Sequence, residues 1–419
     1  MDSKKGLIDY LPRLIFWSMA ILFAMPIIPR GIRPFLIGVV LLLSIVSFFV
    51  DNEKFKWQYF LLNSGLFVLY CFSLLYTEDL SYGIRKIAAA SSLLIFPLII
   101  ACMSKRCVQY ILDRRYVLMW FFIIATLALN ILAFSIFSLQ YSFEEVIIHF
   151  VNIIRSDIPG LKIHPIYLSM HIGISMIFSL FLVQRGLELK KILILITINI
   201  IFLAFLLILI KKGPIIALVI VSGYLVFMFK NRSLYLVFGL TAIGILATII
   251  FVPKVNERFS ELLQIQNTKE DLTNSTNIRF SILQCAAQVM PEAGFLGFGV
   301  GDGKEELIQC YQDNATFLAV NRYNSHNQFL GIILNAGYLG LALFSIFLLY
   351  HLIRAFNRKN HLFIATLLFY CIVMLSENIL ERENGVLYFS LFINLFLMLD
   401  YKFSTKNKDD KPLDNLLSA

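Results

Sequence analysis

The sequence predicts an all-α polytopic membrane protein, and three observations carry that prediction. Of 419 residues, 59% are hydrophobic and 15% are charged. Ordinary soluble domains run at about 45–50% and roughly 25%. The mean hydropathy is +0.78, and apolar runs of about 20 residues, the length a helical span needs, recur along the chain. A soluble fold of this size has no interior large enough for so much apolar surface. A cytosolic enzyme, a disordered chain and a nucleic-acid-binding module are therefore excluded. The formal charge of +9 says less than its distribution across the connecting segments.

Taken in order, the apolar runs give twelve candidate spans at 14–29, 35–50, 58–76, 85–102, 116–138, 165–183, 192–210, 213–229, 233–252, 329–350, 361–378 and 385–400. The first is not a cleavable signal, because no small-residue cleavage site follows it and a second span begins almost at once. With the N-terminus inside, 21 of the 36 lysines and arginines fall in short inner segments or the tail. Six of the remainder lie in one long outer loop, and long loops cross largely regardless of charge. Both ends are thus expected inside. The predicted organisation is spans one to nine over 1–252, a large outer loop over 253–328, spans ten to twelve over 329–400, and a polar, disordered cytoplasmic tail over 401–419. Membrane lipids are the surrounding partner, and no nucleic acid is expected. No internal repeat is visible, whereas many transporters are built from repeats.

Two outer segments are too long for simple turns. The first, 139–164, carries Glu144, Glu145, His149, Arg155, Asp157 and His164. The second, 253–328, has about 75 residues, and a connection of that length is usually functional or disordered. Its stretch Asn277–Met290 has apolar residues at helical spacing, and Pro291 is expected to stop that helix. The run Gly294-Phe-Leu-Gly-Phe-Gly-Val-Gly-Asp-Gly303 follows. Such glycine density permits close backbone approach, either to a ligand or to the membrane helices. It is neither a Walker A motif nor a dinucleotide fingerprint, lacking their flanking residues. Cys285 and Cys310 share this loop, and the sequence leaves open whether they pair. The six cysteines otherwise show no CxxC or Cys/His cluster, so no metal or other cofactor is implied.

The loop ends in Asn324-Ser325-His326-Asn327-Gln328, with Asn324 or Ser325 expected to cap the next helix. His326 reads either as a structural hydrogen-bonder or as a catalytic base. Lys211 and Lys212 occupy a tight outer turn before Gly213-Pro214, where proline suits a first helical turn. They read as a snorkelling pair or, with the free N–H groups of the helix start, as an anion site. Arg279 lies on the loop helix, and Arg85 and Lys86 open the fourth span from the outside. Glu377, Glu381 and Arg382 form a charged turn between the last two spans, expected to be ion-paired among themselves. A membrane mouth holding cations and a histidine suits glycosyl transfer from a lipid diphosphate. The leaving group is a weak base, so cations can stabilise its growing charge, while an imidazole takes the acceptor hydroxyl proton.

The chain resembles the O-antigen ligase and Wzy-type polymerase superfamily. The resemblance rests on Ser73–Glu78, His164-Pro165-Ile-Tyr167, the Lys211-Lys212-Gly213-Pro214 turn, Asn277-Ile-Arg279 with Pro291 and the glycine-rich stretch, Ser325-His326-Asn327-Gln328 running on to Gly337-Tyr-Leu-Gly340, and Ser376-Glu377 to Gly385. It covers most of the chain and is most specific from about 200 to 345. It implies a GT-C-like fold in a bacterial inner membrane, with a metal-independent glycosyltransferase site on the periplasmic side. The implied donor is a glycan on undecaprenyl diphosphate. The implied acceptor is lipid A–core oligosaccharide, a second lipid-linked glycan, or a protein hydroxyl. His326 matches the family's loop histidine, taken to activate the acceptor, and Arg279 its diphosphate-contacting arginine. Lys211-Lys212 stands where the family usually has an arginine, keeping the charge but losing the bidentate fork. Arg85, His164, Tyr167, Asn327, Glu377 and Arg382 are additional candidates. Ligation to lipid A–core is the first expectation and polymerisation the second. The rival outside the enzymes is a polysaccharide flippase, against which stand the missing repeat, the long outer loop and the scarcity of charge within the spans.

Overall fold

The structure is a computed structural model, and it describes residues 2–156, 163–260 and 275–400. Among the described residues the chain is helical, without strands. The helices are α1 Asp2–Phe23, α2 Arg33–Val50, α3 Trp57–Ser73, α4 Leu80–Ala90, α5 Ser92–Cys102, α6 Lys105–Asp113, α7 Arg115–Ser138, α8 Phe143–Ser156, α9 Pro165–Gln184 and α10 Leu189–Leu209. They continue as α11 Lys212–Phe229, α12 Arg232–Phe251, α13 Pro253–Ser260, α14 Ser275–Ala293, α15 Gly303–Asn314, α16 Thr316–Val320, α17 Gln328–Asn357, α18 His361–Met374 and α19 Glu383–Leu397.

Every predicted span falls on one of these helices, or on the α4–α5 pair. Among the described residues seven helices are long and apolar enough to cross a membrane: Arg30–Val50, Leu80–Cys102, Arg115–Ser138, Pro165–Gln184, Leu189–Leu209, Lys212–Phe229 and Gln328–Asn357. Four more apolar helices are shorter, at Tyr10–Phe23, Thr241–Phe251, His361–Met374 and Glu383–Leu397. The predicted span 58–76 falls on α3, which has 17 residues and belongs to neither group. The predicted span 361–378 is longer than α18, because apolar Leu375 continues the run past the last helical residue. There the backbone leaves the helix at Met374 and turns back through a short 3₁₀ segment at Ile379–Glu381. Asp157 and residues 401–419 lie outside the described residues, as does the side chain of Arg155.

α9 and α19 are buried along nearly their whole length and form the centre of the bundle. An aromatic cluster joins them to α7: Phe122, Phe178, Phe392 and Phe396 meet mostly edge to face, with ring centroids 5.2–5.8 Å apart. Hydrocarbon outside the bundle is as apolar as these rings, so packing contact rather than exclusion of water holds such helices together. Small residues let them approach. A Cβ on Gly173 of α9 would lie 2.6 Å from the Phe369 ring of α18.

The connections sort to two ends. At one end Asp51 pairs with Arg106 at 3.0 Å, Lys56 donates to the carbonyls of Ile100, Ala101 and Met103, and Arg114, Arg115 and Arg185 stack over Tyr110 and Tyr116. These are segments that the charge count assigns to the inside. At the opposite end residues 76–86, 164–167, 211–213, 275–328 and 376–385 touch one another. This alternation is what successive crossings require.

Candidate functional site

The glycine-rich stretch is the frame of the site. Ala336 and Gly337 break α17 with non-helical backbone, Gly337 at φ +66°. The run Gly294–Gly297 enters that break. Tyr338 and Leu339 donate their N–H groups to the Gly294 and Phe295 carbonyls, and Phe298 donates to Leu334. A Cβ on Gly297 would sit 2.5 Å from the Gly337 nitrogen, so the glycines here serve approach of backbone to a membrane helix rather than to a ligand. Gly299 and Gly301 lie likewise against Thr77 and Asp79. Asp302 accepts the N–H groups of Glu78 and Asp79 at 2.7 and 2.9 Å. The outer loop is thereby fastened to α3, α4 and α17. Within it, Cys285 of α14 and Cys310 of α15 form a disulfide, with Cα atoms 5.8 Å apart.

The loop delivers His326 to the start of α17. Asn327 caps that helix, its side-chain oxygen accepting from Phe329 and Leu330 at 2.9 and 3.2 Å. The expected caps, Asn324 and Ser325, do other work. Asn324 accepts the His326 N–H at 3.2 Å, supporting a left-handed backbone at φ +42°, and Ser325 bonds to Asn378. A cap takes the extended residue immediately before the first helical one, and the chain reaches that conformation only at Asn327. The helix over 277–290 likewise runs beyond Pro291, to Ala293. A proline in the last turn forfeits one hydrogen bond and leaves the preceding turns intact.

The turn after α18 faces this histidine. His326 Nδ1–H donates to Glu377 Oε2 at 3.2 Å, and Arg279 Nη2 lies 3.7 Å from Glu377 Oε1. Burial alone raises the Glu377 carboxyl. The hydrogen bond and charge of His326, with Arg279 and then His164, more than offset it, so the group titrates below its ordinary value. An ionised carboxylate at Nδ1 fixes the tautomer and leaves Nε2 as the basic nitrogen. His326 keeps 26% exposure, which opens it to a substrate.

The charged turn is therefore not paired among its own residues. Glu377 reaches His326 and Arg279, whereas Glu381 takes Lys86 of α4 at 2.5 Å. Glu377 stands before the 3₁₀ segment Ile379–Glu381 and Glu381 at its end, and the two carboxylates meet different neighbours. Glu381 too is held below the ordinary carboxylate value: burial raises it, and Lys86, Asn378 and Lys304 more than offset that. Asn378 donates to Glu381 at 2.7 Å and to Ser325 at 2.8 Å. Gln328 accepts the Leu380 N–H at 2.7 Å, and Asn327 donates to the Leu375 carbonyl at 3.3 Å. These bonds hold the two segments together.

Lys212 is 7% exposed and donates to Ser275 Oγ at 3.4 Å, one helical turn before Arg279 on α14. Its neighbour Gly213 lies so close to Ser376 that a Cβ would meet its hydroxyl. Lys212, Arg279, Glu377 and His326 thus share one place, with half-buried Lys211 as the N-cap of α11. His164 caps α9, its Nδ1 accepting from Ile166 at 3.4 Å, and acts on the charge of Glu377. Tyr167, buried on α9, lies in electrostatic reach of Glu377, Glu381 and Arg382. Arg85 stays apart: it is exposed, bonds Ser81 and stacks on Tyr82, because the helix turns Lys86 inward in its place. Arg382 is exposed beside Arg30 and Tyr167. Lys86 is among the outer cations read from the sequence, but its pairing with Glu381 and the role of Asn378 are not singled out there. The available signal was an ionisable residue inside a predicted span, which calls for a partner.

Among the described residues no group of three or more His, Cys, Asp and Glu side chains gathers to hold a metal. What has gathered is a carboxylate-oriented imidazole beside cations, an arrangement able to take a proton and hold an anion at once. No curated protein matches the chain. Residues 197–345, about a third of it and running from α10 into α17, match the family model described as O-Antigen ligase. That match supports the O-antigen ligase and Wzy-type polymerase superfamily over this stretch, in a chain whose apolar helices are those of a multi-pass membrane protein.

Proposed function

We propose that the protein transfers a glycan from undecaprenyl diphosphate to an acceptor hydroxyl at the periplasmic face of a bacterial inner membrane, with lipid A–core oligosaccharide as acceptor. The observation that carries this reading is the meeting of His326, Glu377 and Arg279 beside the Lys211–Lys212 turn. His326 Nε2 takes the acceptor proton as the hydroxyl oxygen bonds to the anomeric carbon. The bond from that carbon to the diphosphate breaks, and its electron pair leaves on the diphosphate oxygen. Arg279 and the Lys211–Lys212 turn offset the charge growing there, supplying the electrostatic part of catalysis from side chains. Glu377 stabilises the imidazolium, as a buried carboxylate does for a histidine base.

The test uses the full chain in proteoliposomes with a fluorescent undecaprenyl-diphosphate glycan, with and without lipid A–core. Label moving onto the core supports ligation. A ladder formed without core replaces ligation with polymerisation and keeps the mechanism. Absence of any covalent product, with label crossing the bilayer, overturns the enzymatic reading in favour of transport.

A further inference from the structure

Glu377 serves two partners with one carboxylate, and the two contacts differ. The His326 contact, at 3.2 Å, is a hydrogen bond. The Arg279 contact, at 3.7 Å, is longer than the roughly 2.7–2.9 Å of a charge-assisted hydrogen bond. The Arg279 side chain is 36% exposed, and that of Glu377 is 17% exposed. Arg279 is thus loosely held and open to another anion, whereas His326 is tied by Asn324 and its own left-handed backbone. The other groups facing Glu377 are His164 ahead of α9 and Tyr167 on α9, with the Lys211–Lys212 turn lying against the adjacent Ser376.

Resting on the transfer reading above, we infer that Glu377 is a shared counter-ion through which donor binding activates His326. The diphosphate draws Arg279 to itself, and the carboxylate charge that Arg279 had offset is then directed at the imidazole. In the transfer step an imidazolium forms as the acceptor proton moves to Nε2, and the added charge stabilises that developing cation in the transition state. A base that gains strength only when the donor is seated wastes no acceptor binding on an empty site. Glu377 touches no substrate atom and is a positioning residue.

Glu377→Gln keeps the shape and removes the charge. In proteoliposomes with a fluorescent undecaprenyl-diphosphate glycan and lipid A–core, or a second lipid-linked glycan where the product is a ladder, kcat falls about tenfold to a hundredfold, the lower range of general-base effects. The donor KM falls by up to about fivefold, because a weak competing ion pair has gone. The acid limb of the pH profile separates coupling from plain support. The kcat profile reports the donor-loaded enzyme, and kcat/KM for the donor reports the free one. The substitution lowers the apparent pKa more in the first than in the second. Equal displacement, no displacement, or a raised donor KM overturns the coupling. If Glu377→Gln gives no monodisperse protein in detergent, Glu377→Asp decides: kcat falls without a rise in donor KM, and a rise overturns the inference. His326→Ala keeps the two claims distinguishable. Full transfer in that variant removes the reading beneath. An inactive His326→Ala with an unmoved Glu377→Gln profile removes the coupling alone.

Discussion

At the scale of single residues, the position of His326 is set by four short-range decisions: an Asx turn from Asn324, a left-handed backbone, a cap at Asn327 and the carboxylate of Glu377. His326→Ala leaves those backbone bonds in place. Transfer activity is therefore expected to fall at least about a hundredfold, the scale of general-base catalysis, with membrane insertion unchanged on fractionation. Lys211→Ala and Lys212→Ala each raise the donor KM, and the double variant raises it further; normal donor use by the double variant removes this turn from the anion site. Glu377 and Glu381 set the pH dependence of stability. Both carboxyls are depressed below 4.5 in the folded protein, so their contribution is fully present above that pH and is lost as pH falls through the folded values. The melting temperature in detergent should hold while the pH stays above the ordinary carboxylate value of 4.5 and drop as it falls below that value, and Glu381→Gln should flatten the drop. His326, Arg279 and the lysine turn were legible because each stands in a polar segment flanked by apolar runs. The partners were not. Lys86 and Glu381 meet across 295 positions, and no local periodicity records a contact between distant segments.

At the scale of elements, spans were readable because an apolar helix in lipid must satisfy its backbone internally, which leaves a long uniform signal. Ends were not, because apolar residues continue past the last helical turn, as Leu375 does after α18. The glycine-rich run was ambiguous for a related reason: glycine permits close approach without naming what approaches. Here it is the break in α17, and the crossing is tight on both sides. Gly297 stands at φ +80°, so Gly297→Ala adds both left-handed strain and a clash with the Gly337 backbone. A loss of at least about 1–3 kcal/mol is expected, read as a lower melting temperature in detergent. Transfer should fall in parallel, since this crossing fixes the far end of the loop that carries His326. An unchanged melting temperature would show that the loop does not seat in the break. The Cys285–Cys310 bond closes 25 residues between α14 and α15 and is worth about 3.5 kcal/mol on the chain-entropy account. It ties the helix bearing Arg279 to the rest of the loop, and a bond of this kind persists in an oxidising compartment.

At the scale of the whole molecule, orientation follows from two facts that do not depend on each other. Lysine and arginine are concentrated in alternate short connections, and the structure brings those same connections to one end and the site to the other. The end away from the site carries Asp51–Arg106, the tyrosine-stacked arginines and Lys56, a charged and aromatic belt of the sort that anchors helices at an inner interface. By the positive-inside bias the site end is expected on the outer face, the side the proposed transfer requires. Two exposed positions report on this directly. Val320 is 76% exposed in the outer loop, and Arg358 is exposed just beyond α17 at the opposite end. Single Val320→Cys and Arg358→Cys chains, compared with the unsubstituted chain for background, are treated in intact spheroplasts with a membrane-impermeant maleimide. Cysteine at 320 should label without permeabilisation and cysteine at 358 only after lysis. The reverse pattern would put His326 on the cytosolic side. The base and cations would then stand on the side opposite to the one the proposed transfer requires.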